Sequence, residues 1–321
     1  MYDQTMQLIV EPPTSGITAT ANQIETNPAV AYILRLGTKR SQQTMASLLN
    51  IVARALGFAD LKLCPWPMLR RQHVLALIQQ LRTNGRAPST INTYLAALKG
   101  VAMEAWTLQL IDTDTYQHIK HVRNVRGQRL PKGRALTKME IQLLFQVCDQ
   151  DRRAVGVRDA AILGLMLGCG LRRSEVVHIK CADMDHQDQS IRVMGKGNKE
   201  RLAYVPATAW QRLQRWLDEV RGDHAGHLFV RIRQNDDVTD NALTDQAIYY
   251  ILQTRQQGAN IDEFSPHDLR RTFASAMLSQ GHDLVTVKDA MGHSNIQTTQ
   301  RYDRRGDERL KQARDQLDLV R

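Results

Sequence analysis

Six side chains in four short stretches have the chemistry to break and remake a phosphodiester. Arg172 sits in GCGLRRSEVV, residues 168–177, and a lysine sits in GKGNKE, residues 195–200. His267 and Arg270 sit in SPHDLRRTFASAML, residues 265–278, and His293 and Tyr302 in MGHSNIQTTQRYDRRG, residues 291–306. Phosphoryl transfer gathers negative charge on nonbridging oxygens, and paired guanidiniums stabilise it as it develops. A lysine can protonate the leaving 5′ oxygen, while a histidine takes the tyrosyl proton or holds the phosphate. A tyrosine nucleophile keeps the phosphodiester energy in a covalent link, so no ATP is required. No carboxylate cluster suited to Mg²⁺ accompanies these residues, so the chemistry is metal-free.

Each fragment alone has an ordinary explanation. Arg172 and Glu175, three apart, make a surface ion pair worth little. His267 is an imidazole near the start of an exposed helix, and Tyr302 a half-buried helix residue. GKGNKE lacks the GxxxxGK[ST] pattern, which rejects nucleotide binding, and leaves Lys196 and Lys199 as equal candidates at a hairpin tip. The set is far more specific than its members.

In order, GLRRSE, VMGKGNKER, HDLRRTFA and MGHSNIQTTQRY closely resemble the tyrosine recombinase (phage integrase) family, Xer-type recombinases included, from about residue 137 to Tyr302. The stretch before them resembles that family's core-type DNA-binding domain, with a weaker signal. The resemblance implies Tyr302 as the nucleophile that forms a 3′-phosphotyrosyl bond, with Arg172 and Arg270 as the phosphate clamp. It implies His267 as general base or phosphate donor, and His293 as a residue that binds the scissile phosphate or orients Tyr302. It selects Lys196 over Lys199 as general acid and makes Glu175 the acidic partner behind the clamp. Arg271 and Arg301 read as phosphate contacts or solvated charges, and Lys199 as a DNA contact. Met291, where the family more often has Leu, is a volume-conserving change.

Elements must bring these residues together. Thr137 and Glu140 in LTKMEIQLL form a capping box that opens a domain. Apolar spacing predicts helices over 158–167, 209–220, 244–256, 265–280, 283–291 and 294–302. SIRVMGKGNKERLAYVP alternates as one β-hairpin. Ser265 and Asp268 box the helix that presents His267 and Arg270 together, away from its own core. Ser294 and Gln297 box the last helix, which carries Tyr302 on its final turns. Trp210 and Trp216 read as packing residues, and His178, His224 and His227 as surface residues. Beyond Tyr302, Leu310, Ala313, Leu317 and Val320 suggest an amphipathic helix that docks on a neighbouring protomer.

Upstream, residues 1–28 read as a flexible tail and 29–122 as an all-helical module, with helices over 41–56, 68–81, 89–106 and 112–122. Ser89 is the expected cap of the third. Residues 123–136 form a basic linker whose Arg123, Arg126, Arg129, Lys132 and Arg134 can track a phosphate backbone, each neutralised phosphate releasing counterions. Residues 137–321 form the catalytic domain and its C-terminal docking tail.

Composition agrees with a polyanion partner. Lys+Arg number 43 against 33 Asp+Glu, for a net charge of +10, and the pI is near 9.6. Cys64, Cys148, Cys169 and Cys181 form no CxxC pair, so neither zinc nor a disulfide framework is expected. No apolar run approaches the roughly 18 residues that span a bilayer, and the N-terminal stretch lacks the basic and apolar regions of a secretory signal. The expected protein is mainly α with a small β-sheet. A helical DNA-binding domain and a mixed α/β catalytic domain would form a C-shaped clamp on duplex DNA, without metal, cofactor or membrane. A cytoplasmic, nucleoid-associated protein of bacterial, phage or mobile-element origin fits.

The resemblance further implies a double-stranded recombination site, bound by a monomer or dimer, and a homotetramer across two sites. Strand exchange would pass through a Holliday junction, for integration and excision or for cointegrate or replicon-dimer resolution. A second recombinase or an accessory DNA-bending protein has room in this scheme. The rivals are a type IB topoisomerase and a DNA-binding regulator that keeps the fold without cleaving. The chain beyond Tyr302 and the Xer-like motifs weigh against the first, and the intact six-residue set against the second.

Overall fold

The computed structural model describes residues 27–127, 133–195, 199–293, 295–300, 302, 303 and 314. The chain divides into two compact units, residues 1–130 and 131–321.

The first unit is helical. Asn27 caps α1 (Pro28–Arg35) by accepting from the Ala29 and Val30 N–H groups, and its own Nδ2 donates to the Leu61 and Lys62 carbonyls. This helix begins inside the stretch expected to be tail. Its eight residues are too short to announce a period in the sequence. Thr38 caps α2 (Lys39–Ala55), and a 3₁₀ turn at Trp66–Met68 precedes α3 (Arg71–Thr83). The 3₁₀ turn accounts for the start expected at residue 68.

Helix α4 (Pro88–Thr107) is the centre of this unit. It is buried on several sides through Ile91, Tyr94, Leu95, Leu98, Val101 and Ala105, and α1, α2, α3 and α5 (Thr113–Lys120) all pack on it. Its cap is Ala87 and not the expected Ser89, because Pro88 takes the first helical position, where its missing N–H costs nothing. Trp66, 1% exposed, closes the core and donates from Nε1 to the Leu61 carbonyl at 2.7 Å. Asn92 on α4 exchanges two hydrogen bonds with the Val125 backbone, so the segment after α5 is held down while Arg123 and Arg126 stay exposed.

The second unit opens with the Thr137–Glu140 capping box of α6 (Lys138–Gln150). Helix α7 (Ala154–Gly168) is buried around its whole circumference, with Ala161, Ile162, Leu163, Leu165 and Met166 at 0% exposure. Truncating such a leucine to alanine costs about 2–5 kcal/mol. Against α7 lie α6, α9 (Ala207–Trp216) and α11 (Pro266–Ser279). Trp210 and Trp216 are core residues, at 2% and 0% exposure.

Between α7 and α9 run the short α8 (Arg173–Val176) and a three-stranded antiparallel sheet of β1 (Met184–Asp185), β2 (Ser190–Gly195) and β3 (Lys199–Tyr204). Strands β2 and β3 are the expected hairpin, in register from Ser190 opposite Tyr204 to Gly195 opposite Lys199. A second sheet, β4 (Val230–Ile232) with β5 (Val238–Ala242), was not expected. Three residues and a polar VTDNA carry no alternation to detect. Helices α10 (Asp245–Ala259), α12 (Leu284–Met291) and α13 (Ile296–Gln300) also belong to this unit. Apart from Arg314, the segment expected to dock on a neighbour, residues 310–320, lies outside the described residues, as do 1–26.

Candidate active site

Three turns converge in the second unit. The first precedes α8. Gly170 adopts φ +58, and a Cβ there would meet the Phe273 ring at 2.4 Å, so only glycine lets this turn lie against α11. Two residues later, Arg172 donates from its backbone N–H to Glu175 Oε2 at 2.8 Å and from Nη1 to Oε1 at 2.5 Å. The pair expected at the surface is thus half inside. Arg172 keeps 28% of its side chain exposed, while Glu175 keeps 3%.

The second turn starts α11. Ser265 donates from its N–H and its hydroxyl to Asp268 Oδ2, at 2.9 and 2.8 Å. His267 is exposed there, as expected. Arg270 is not turned away from the core: it is 2% exposed, and its guanidinium donates to the Gly170 and Met291 carbonyls. Carbonyls offered from 100 and 21 residues away make that burial tolerable, and a helical wheel does not register them. Burial first, and then the Arg172 charge, press the Arg270 pKa down to about 9. It remains a cation at neutral pH. Partial burial and the charges of Arg270 and Arg172 also hold the His267 imidazole below its ordinary pKa.

The third turn follows α12. Gly292 adopts φ +62 and ends the helix, and a Cβ there would press on the Arg201 side chain at 3.0 to 3.2 Å. His293 comes next, 7% exposed, with Nδ1 2.9 Å from Thr299 Oγ1. Its ring stacks on Tyr302 at 6.1 Å between centroids and 28° between planes. Burial and the Arg270, Arg172 and Arg201 charges push the His293 pKa down to about 4, so the ring is neutral at pH 7. Tyr302 is half-buried, packed beside Ala274, Leu278, Val287 and Met291, and its N–H donates to the Thr299 carbonyl. Asn295 Oδ1 accepts the Gln297 N–H at the start of α13, while the expected cap, Ser294, lies outside the described residues.

Three consecutive carbonyls at this helix end each face an arginine. Ala290 accepts from Arg201 Nε at 3.3 Å, Met291 from Arg270, and Gly292 from Arg172 Nη2 at 3.5 Å. Unpaired carbonyls and the negative end of the helix dipole favour cations at a helix C-terminus.

Arg201 is the site residue the sequence reading missed. It donates from Nη1 and Nη2 to Glu175 Oε1 and Oε2, at 3.3 and 3.1 Å. Burial raises the Glu175 pKa, and the bonds from Arg201 and Arg172 outweigh it, so the carboxyl sits below its ordinary value. A signal existed. In KERLAY, position 201 alternates inward with the buried Ala203 while 200, 202 and 204 face out, so the strand places a charge on its core side.

Other expected residues fall as follows. Lys196, Arg129, Lys132 and Arg301 lie outside the described residues, and Lys199 is exposed at the start of β3. Arg123 and Arg126 are exposed. Arg134 is not a free phosphate contact: its guanidinium pairs with Glu140 at 2.6 Å and donates to the Asp262 carbonyl at 2.8 Å. Arg271 is not a solvated charge either. It is 8% exposed, 3.7 Å from Asp268, with its guanidinium 5.5 Å from the centroid of the Tyr302 ring. Among the described residues no cluster of His, Cys, Asp or Glu has the form of a metal site, and no helix is long and apolar enough to cross a membrane.

Known proteins resemble this chain in sequence and in fold. The tyrosine recombinase XerC of Proteus mirabilis is 30% identical over 247 residues, 75% of this chain and 76% of that protein. XerC of Staphylococcus epidermidis is 34% identical over 176 residues, and the match spans 58% of its length. The Tn1549 transposon integrase, solved in complex with circular intermediate DNA, has a TM-score of 0.62 at 19% identity, covering 89% of this chain and 97% of that one. A lambda integrase dimer bound to a core site has a TM-score of 0.63 at 15% identity, covering 87% and 93%. At those identities the likeness is one of fold. Residues 134–309 match the Phage integrase family, and with the XerC likeness over three quarters of its length the chain belongs to that family.

Proposed function

We propose that this protein is a site-specific DNA recombinase that cuts and rejoins duplex DNA through Tyr302, without metal or ATP. The observation that carries the reading is a surplus of positive charge beside a phenol. Arg172, Arg201 and Arg270 surround one carboxylate, Glu175, next to His293 stacked on Tyr302. A scissile phosphate supplies the missing anion, and its charge grows in the transition state, where fixed guanidiniums act most strongly.

In this reading the Tyr302 oxygen attacks phosphorus and the 5′ oxygen leaves, forming a 3′-phosphotyrosyl bond. Arg172 and Arg270 hold the nonbridging oxygens, and Lys196 protonates the leaving 5′ oxygen. His293, neutral at pH 7 and stacked on Tyr302, is a weak base and binds the scissile phosphate or orients the phenol. His267, at the exposed start of α11, is the general base or a phosphate donor. Arg123, Arg126, Lys199 and the linker cations outside the described residues contact flanking phosphates. The two units would close as a clamp on the duplex, a monomer or dimer per site and a tetramer across two, exchanging strands through a Holliday junction. The XerC relatives are named tyrosine recombinases, and the two integrases of like fold are solved with DNA. They support recombination at a DNA site, and in this reading the role is integration, excision or resolution of a replicon dimer or cointegrate, carried out beside the nucleoid in the cytoplasm.

The test is a nicked suicide duplex carrying the recombination site, incubated with native protein and with Tyr302→Phe in EDTA. The native protein is expected to form a covalent adduct and the variant none. An adduct that survives in Tyr302→Phe overturns the assignment of the nucleophile. An adduct without two-site product turns the reading to a type IB topoisomerase.

A further inference from the structure

The geometry points to Arg201 as a positioning residue: through Glu175 and the Ala290 carbonyl, it fixes the Arg172 guanidinium and the turn that carries His293. Its chemical meaning rests on the recombinase reading above. Arg201 stands on β3 opposite Val193, with 13% of its side chain exposed. Each of its three nitrogens has a protein acceptor: Glu175 Oε1, Glu175 Oε2 and the Ala290 carbonyl. Arg201 therefore braces its neighbours, whereas Arg172 presents an exposed edge to a ligand.

The carboxylate between them is saturated. An ionised carboxylate offers about four acceptor positions, and Glu175 takes two bonds from Arg172 and two from Arg201. Without Arg201, half of those positions on a buried carboxylate lose their donors. Glu175 is then free to turn, and Arg172 loses its fixed partner. The Ala290 bond also ties the hairpin to the turn on which Met291 and Gly292 meet Arg270 and Arg172. Two of the three arginines and His293 thus depend on one residue that touches no substrate.

Positioning errors reduce rate more than affinity. Duplex binding sums many phosphate contacts, while transition-state stabilisation depends on the placement of a few groups. Arg201→Lys keeps the charge and loses the planar fork. Full-length Arg201→Lys and Arg201→Met are expected to cleave the suicide duplex about 10-fold and about 100-fold more slowly, with duplex affinity changed by less than about 3-fold. If Arg201 acts through Glu175, then Arg201→Met combined with Glu175→Gln is no slower than the slower single variant. In DNA-free protein, ¹⁵N NMR of the arginine side chains reads rotation of the Arg172 guanidinium. That rotation is expected to be restricted in the native chain and faster in Arg201→Lys and Arg201→Met. Single-variant effects that multiply, an affinity loss as large as the rate loss, or unchanged Arg172 rotation would each overturn the proposal. If the native protein forms no adduct, the recombinase reading fails, and Arg172 rotation alone decides the role of Arg201.

Discussion

Two clusters of buried arginine and carboxylate lie in the second unit, and their charges sum differently. In the first, Arg158 and Arg255 face Asp159 and Asp151 over distances of 2.7 to 2.9 Å. Two buried cations meet two anions, the exposed Arg153 adds a pair to Asp151 from outside, and the cluster joins α7, α10 and the end of α6. In the second, Arg172 and Arg201 share Glu175, and backbone carbonyls hold Arg270 beside them. Balanced charge stiffens a fold. Surplus charge held by dipoles costs desolvation and is justified by a ligand that arrives later. The contrast separates a brace from a site inside one core.

Three measurements press on that contrast. The largest effect belongs to the brace: Asp159→Ala leaves two buried guanidiniums short of their shared partner, and urea denaturation should show a loss of about 3–5 kcal/mol. A loss below about 1 kcal/mol would remove the distinction, since the cluster would then be ornamental.

The second concerns acid. An unfolded histidine protonates near 6.5, and folded His293 at about 4. Between those values the unfolded chain binds more protons, so the contribution is complete above pH 6.5 and is lost as pH falls towards 4. Its full size is up to about 3 kcal/mol. His293→Asn should flatten the stability profile between pH 6.5 and 5, and an unchanged slope would mean that the surplus charge does not reach that ring.

The smallest effect is anion binding without DNA. Inorganic phosphate should raise the native Tm more than chloride of equal ionic strength, by a degree or two, roughly 1 kcal/mol. Arg172→Ala should abolish the difference. An equal rise in the variant would place the anion elsewhere.

Much of the site was legible because its parts are local. Arg172 with Glu175, and Ser265 with Asp268, are three-residue spacings whose hydrogen bonds the backbone imposes. What escaped depends on distant partners. Arg270 turned inward because carbonyls of Gly170 and Met291 await it, and Arg134 looked free because Glu140 and Asp262 meet it only after folding. Arg201 drew no reading from the sequence, because Glu175 and Ala290 meet it only after folding. The fold followed the same rule. Long amphipathic helices were readable, while α1 and the β4–β5 pair were too short to carry a period.

The turn from Ala290 to Gly292 behaves as a ruler with three marks, one carbonyl for each arginine. Side chains of like size can change along it, Met291 being fully buried, while the marks keep their spacing, apart from Gly292, whose backbone and clearance need glycine. One residue added or removed would slide every arginine onto the wrong mark. The stretch is therefore far less tolerant of a change in length than of most changes in letter.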